Sequence, residues 1–161
     1  MSDIDDLARH VIEGCRERTW TIATVESCTG GLVAAALTEI AGSSAVFDRG
    51  FVTYSNTAKQ ELVGVEPHVL EAHGAVSEAV ARQMAEGGRA RAATTLCVSI
   101  TGIAGPGGGT ERKPVGLVHF ACAGLSGTVH REERFGDLGR AVVRRRSVET
   151  ALSMLADALS R

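Results

Sequence analysis

Three side chains combine nucleophilic or basic chemistry with unusual surroundings. Ser27 and Cys28 lie side by side in Glu26-Ser27-Cys28-Thr29-Gly30-Gly31. Either can attack an electrophilic carbon once a neighbouring base takes its proton. Lys59 closes the run Tyr54-Ser55-Asn56-Thr57-Ala58-Lys59. Lysine is scarce, since Lys59 and Lys113 are the only two against fifteen arginines. An arginine stays protonated, whereas a desolvated lysine can lose its proton near neutral pH and serve as a base. The plainer readings are a capping serine, a packed cysteine and a solvated lysine on a short helix.

Two further stretches suit a ligand. Gly102-Ile103-Ala104-Gly105-Pro106-Gly107-Gly108-Gly109 follows a strand-like run that ends at Thr101. It is neither a dinucleotide fingerprint nor a P-loop, because it leads toward a strand and lacks G-K-[ST]. Its amides could face a ligand, and a plain long turn is the alternative. Arg140, Arg144, Arg145 and Arg146 open the final helix-like segment. Arg140 and Arg144, four apart, share a face, and a guanidinium fork suits a phosphate. A solvated basic face is the alternative. Tyr54 reads equally as a strand-end core residue or as a substrate contact.

The elements that must position these groups follow from hydrophobic period. Residues 3–18 read as an amphipathic helix, with Ser2 or Asp3 as its cap. Residues 20–25 read as a buried strand and 30–40 as a helix, so Ser27 falls at a strand-to-helix turn. Unpaired N–H groups and partial positive charge collect at such a turn, which suits an oxyanion or a phosphate. Residues 46–54 read as a strand, and Asn56 as the cap of a short helix through Val63 that Gly64 ends. One further helical turn is expected over 67–72, then a helix from a Ser77 cap to about Arg91. In that helix Ala81, Ala85 and Gly88 line up for close packing. Residues 94–101, 115–122 and 128–135 read as strands, the last two joined as a hairpin. A helix then begins near Gly139, with Val148, Ala151 or Leu152, Leu155 and Leu159 as its inner stripe. The order α-β-α-β-α-α-β-β-β-α predicts a three-layer α/β/α sandwich on a mixed sheet of about five strands. Residues 1–161 read as a single domain.

Composition narrows the function classes. A net charge of −2 calls for neither nucleic acid nor an anionic membrane. The acidic start, Met1 to Asp6, lacks a signal-peptide pattern, and no apolar run approaches the roughly 20 residues that span a bilayer. A cytoplasmic protein is the expectation. Cys15, Cys28, Cys97 and Cys122 form no C-x-x-C pair, and the histidines show no H-E-x-x-H spacing, so no metal or other cofactor is implied. Cys97 and Cys122 read as core packing. A homo-oligomer is expected on general grounds.

Six segments occur together and in order: E-S-C-T-G-G at 26–31, A-G-S-S-A-x-F at 41–47, V-T-Y-S-N-x-A-K at 52–59, H-G-A-V-S at 73–77, T-G-I-A-G-P-G-G-G at 101–109 and K-P-V-G at 113–116. This set closely resembles the CinA C-terminal domain family, the nicotinamide-nucleotide amidases also called competence/damage-inducible proteins. The resemblance covers about residues 5–159 and implies the stand-alone form, without the extra N-terminal domain that many relatives carry. It implies metal-free hydrolysis of the carboxamide of nicotinamide mononucleotide, giving nicotinate mononucleotide and ammonia in pyridine nucleotide recycling. Carried over, Ser27 is the nucleophile and Lys59 its general base, with Tyr54 beside them. Cys28, Thr29, Gly30, Gly31, Thr101, Gly102 and Arg144 fall at positions that bind substrate, Arg144 and the glycine loop being the candidates for its phosphate. The alternative is a catalytically silent module that binds a nucleotide or a protein. The least family-like stretch is Leu138-Gly139, just ahead of the arginine cluster.

Overall fold

Five strands form the middle layer of a computed structural model that describes residues 3–161; the Ser2 cap therefore lies outside the described residues. The elements are α1 (Asp3–Arg18), β1 (Ile22–Glu26), α2 (Leu32–Thr38), β2 (Phe47–Val52), α3 (Asn56–Val63), α4 (Pro67–His73), α5 (Glu78–Ala92), β3 (Leu96–Gly102), β4 (Leu117–Gly124), β5 (Gly127–Arg134) and α6 (Arg140–Ala158). The sheet order is β2-β1-β3-β4-β5. β1 runs parallel to β2 and β3, whereas β3, β4 and β5 are antiparallel to one another in turn. The mixed sandwich is the one expected, and Gly124 pairs with Gly127 across the expected hairpin.

Three helices, rather than two, separate β2 from β3, because the turn expected over 67–72 is a full helix with Pro67 at its start. Proline suits that position, where its missing N–H would have no partner. The α3 cap is Ser55, whose side chain accepts from the Ala58 N–H, so Asn56 is the first helical residue and not the cap. Ser77 caps α5 as expected, accepting from the Val80 N–H.

Alternation along the buried strands divides the core. Ile22, Val98, Ile100, Val118 and Phe120 face α1, α2 and α6, and Ala23, Val25 and Cys97 face α3, α4 and α5. Small residues bring α5 close to the sheet. Ala81 and Ala85 meet Ala121 and Ala123, and a Cβ at Gly88 would clash with a Val25 methyl. Cys97 and Cys122 are buried in these cores, as expected.

Connectivity decides where a site can form. From β1 the chain crosses to β2 through α2 on one face, then returns through α3, α4 and α5 on the other to reach β3. The crossovers diverge at the carboxyl ends of β1 and β3, the place where open α/β sheets bind ligands. Ser27 follows β1 there, and Thr101 lies near the end of β3.

Candidate active site

The turn after β1 is held open by glycine and by a carboxylate. Gly30 and Gly31 take φ values of 56° and 105°, a region that other residues resist. Gly31 leads into α2 with no side-chain cap of its own. Instead the buried Glu26 side chain reaches across the turn and accepts from the Val33 and Ala34 N–H groups, at 2.9 and 3.0 Å. A carboxylate on the first turn satisfies two otherwise orphaned donors and complements the helix dipole. This also removes the first-turn amides of α2 from contention as oxyanion donors. Upstream, the Cys28 and Thr29 N–H groups donate to no carbonyl and no side-chain oxygen among the described residues.

Lys59 enters from α3. Its side chain is 1% exposed, one of the largest fully buried in the protein. Nζ lies 3.0 Å from Ser27 Oγ, 2.7 Å from the Thr53 carbonyl and 3.4 Å from the Tyr54 carbonyl. Residues 32 positions apart thus meet in one contact. Desolvation lowers the Lys59 pKa to about 8, and no ion pair among the described residues holds it charged. A neutral amine that donates its two protons to the Thr53 and Tyr54 carbonyls leaves its lone pair for the Ser27 hydroxyl. The neighbouring thiol has the opposite character: burial pushes Cys28 up to about 11, so near neutrality it stays protonated. The thiolate is the reactive form of cysteine, so Cys28 is held in its unreactive form, and the contact with Lys59 is what distinguishes Ser27 as the candidate nucleophile.

A cavity of about 270 Å³ opens beside this pair. Ser27, Cys28, Tyr54, Asn56, Lys59, Thr101 and Gly102 line it, with Ala75, Val76, residues 103–105, Gly107, Gly108 and Arg140. Gly107 and Gly108 also border a second cavity of about 620 Å³ that Arg134 and Asp137 help to line. Thr101 Oγ1 donates to the Ala75 carbonyl at 2.9 Å and so fixes the wall formed by Ala75 and Val76. Tyr54 is 61% exposed at the mouth, where its hydroxyl accepts from Arg140 at 3.0 Å.

Thr29, Gly30, Gly31 and Arg144, expected at the substrate, do not line the cavity. Thr29 is fully buried, and the two glycines shape the turn behind Ser27. Arg144 is occupied elsewhere: Nε donates to the Cys28 carbonyl at 3.0 Å and Nη2 to the Thr29 carbonyl at 3.4 Å. The arginine that borders the cavity is Arg140, one turn earlier on α6, which also donates to the Gly105 carbonyl at 2.9 Å. The two share a helix face, as their spacing requires, but the first turn of α6 meets the glycine loop and the second meets the Ser27 turn. Periodicity alone does not tell them apart. Ala75 and Val76 carry no chemical signature, and their place in the H-G-A-V-S segment of the family resemblance is the one signal that they border the site.

The CinA C-terminal domain family model matches residues 4–159. A CinA-like protein of Synechococcus sp. (strain RCC307) is 52% identical over 155 residues, which is 96% of this chain and 37% of that protein. The chain thus spans under two-fifths of such CinA-like relatives. The nicotinamide-nucleotide amidohydrolase PncC of Escherichia coli (strain K12) is 50% identical over 156 residues, 96% of this chain and 93% of that protein. Among solved structures, the competence/damage inducible protein CihA of Agrobacterium tumefaciens superimposes with a TM-score of 0.97 at 52% identity, covering 100% of this chain and 98% of that one.

Proposed function

Because this chain belongs to the CinA C-terminal domain family, we propose that it hydrolyses the carboxamide of nicotinamide mononucleotide through Ser27 and Lys59. The observation that carries this reading is the 3.0 Å contact between a buried, carboxylate-free lysine and the Ser27 hydroxyl at the edge of a cavity. A module that only bound a nucleotide or a protein would have no use for a lysine whose charge burial penalises.

Neutral Lys59 takes the Ser27 proton as Oγ bonds to the carboxamide carbon, and the carbonyl oxygen becomes an oxyanion. The Cys28 and Thr29 N–H groups are the donors proposed to receive it. The carbon–nitrogen bond then breaks, and the Lys59 ammonium supplies the proton with which ammonia departs. Water attacks the resulting ester, Lys59 again accepts the proton, and Ser27 leaves protonated with nicotinate mononucleotide as product. Atoms balance with one water consumed, and no metal or redox cofactor enters.

Substrate recognition falls to groups around the same cavity. Thr101 and Gly102 line it at the end of β3, and the exposed Tyr54 lines it just ahead of α3. Arg140, exposed and forked, together with the amides of Gly107 and Gly108, is the proposed contact for the phosphate. Among the described residues no helix is long and apolar enough to cross a membrane. The cytoplasm and a homo-oligomer remain the setting we propose.

The test is ammonia release from nicotinamide mononucleotide by the wild-type protein and by Ser27→Ala. Loss of the nucleophile is expected to lower kcat by about 10⁴-fold or more, as in other serine hydrolases. Near-normal turnover by Ser27→Ala would refute the mechanism, and an inactive wild-type protein would refute the substrate.

A further inference from the structure

Arg144 is a half-buried guanidinium with two hydrogen bonds, both to backbone carbonyls of the Ser27 turn. An arginine that recognises a phosphate presents its fork to the ligand. Here the fork faces Cys28 and Thr29, and Arg144 does not border the cavity. The geometry points to a different role, which rests on the hydrolase reading above: we propose that Arg144 is a positioning residue for the oxyanion donors.

The peptide joining Cys28 to Thr29 is trans, so its C=O and N–H point in opposite directions. Arg144 Nε holds the carbonyl of that peptide at 3.0 Å and thereby turns the Thr29 N–H away from α6. Ser27 and Cys28 border the cavity, whereas Arg144 lies against their turn without reaching it. The second bond, to the Thr29 carbonyl, joins the one that this oxygen accepts from the Leu32 N–H at 3.0 Å. Gly30 N–H closes the turn onto the Ser27 carbonyl at 3.0 Å. Every carbonyl from Ser27 to Thr29 is thus engaged, whereas the N–H groups of Cys28 and Thr29 keep no oxygen partner. Glu26 ties the start of α2 across the turn, and Arg144 holds the carbonyls of the turn from α6.

A donor that is prealigned costs no reorganisation when the oxyanion forms, and its loss affects the transition state rather than ground-state binding. Two readouts test this in Arg144→Met and Arg144→Lys. The first is steady-state kinetics on nicotinamide mononucleotide. The second is the rate at which a small alkyl fluorophosphonate labels Ser27. In that reaction Oγ bonds to phosphorus, fluoride leaves, the proton passes to Lys59 and the phosphoryl oxygen occupies the oxyanion position. The probe carries neither pyridine nor ribose phosphate. For Arg144→Met, kcat should fall by about 10–100-fold, in line with the cost of a misplaced donor, with KM within about threefold. Labelling should slow in parallel. Arg144→Lys keeps the charge and reaches at most one carbonyl. It should lose about tenfold in kcat at unchanged KM, and it carries the test if Arg144→Met does not fold. A KM raised tenfold with kcat intact, or labelling at the wild-type rate, would overturn the positioning role. Failure of the wild-type protein to label at Ser27 would instead overturn the Ser27–Lys59 reading on which it rests.

Discussion

Lys59 and the His119–His130 pair are both basic groups that burial drives toward the neutral form, yet their surroundings differ in every other respect. His119 on β4 and His130 on β5 are cross-strand near neighbours; their rings stack at 5.2 Å and share a 2.9 Å hydrogen bond between Nδ1 and Nε2. The outer nitrogens face carboxylates, with Glu132 3.6 Å from His119 and Glu78 3.6 Å from His130. Desolvation lowers both imidazole pKa values, each ring has all its nitrogens accounted for, and neither borders the cavity. Lys59 has no carboxylate partner among the described residues, and its partners are two carbonyls and the Ser27 hydroxyl. A depressed pKa therefore marks chemistry only where the freed lone pair meets a reactive group beside a space that admits substrate.

Substitution at the two clusters tests that contrast. Lys59→Met should remove the base and lower kcat by about 10²–10⁴-fold, the usual contribution of general-base catalysis. Lys59→Arg should be nearly as damaging, because a guanidinium cannot become neutral. Activity retained by the arginine variant would mean that position 59 supplies charge rather than proton transfer. The smallest effect belongs to the histidines. Lys59 must be neutral to act, so kcat/KM should rise with pH and level off above about 8. His119→Gln should leave that limb in place and change the plateau by about twofold at most, as for a substitution outside the reacting groups. A limb that shifts with His119 would move the titration to the wrong cluster.

The sequence revealed the elements better than it revealed their aim. Hydrophobic period located each strand, and alternation of α and β segments implied the sandwich, because those patterns record burial directly. Proximity of Ser27 and Lys59 was not legible from spacing. It depends on β1 and β2 being parallel neighbours, which carries α3 back to the end of β1. The resemblance to a known family supplied the pairing that local chemistry could not. The arginines show the opposite limit. Arg140 and Arg144 are alike in type, face and neighbourhood, and only the tertiary path of the glycine loop and the Ser27 turn separates the residue at the cavity from the one behind it. Glu26 was similarly hidden, since a carboxylate at a strand end gives no sign that it will cap the following helix seven residues on.

The proposed hydrolysis depends most on the protonation of one amine. An NMR titration of the Lys59 side-chain nitrogen in the resting protein reads it directly. The expected midpoint is near 8, depressed by burial, with the neutral amine increasingly populated as pH rises through that value. A midpoint at or above 10.5, the ordinary value for a lysine, would leave Ser27 without a base near neutral pH and would contradict the mechanism.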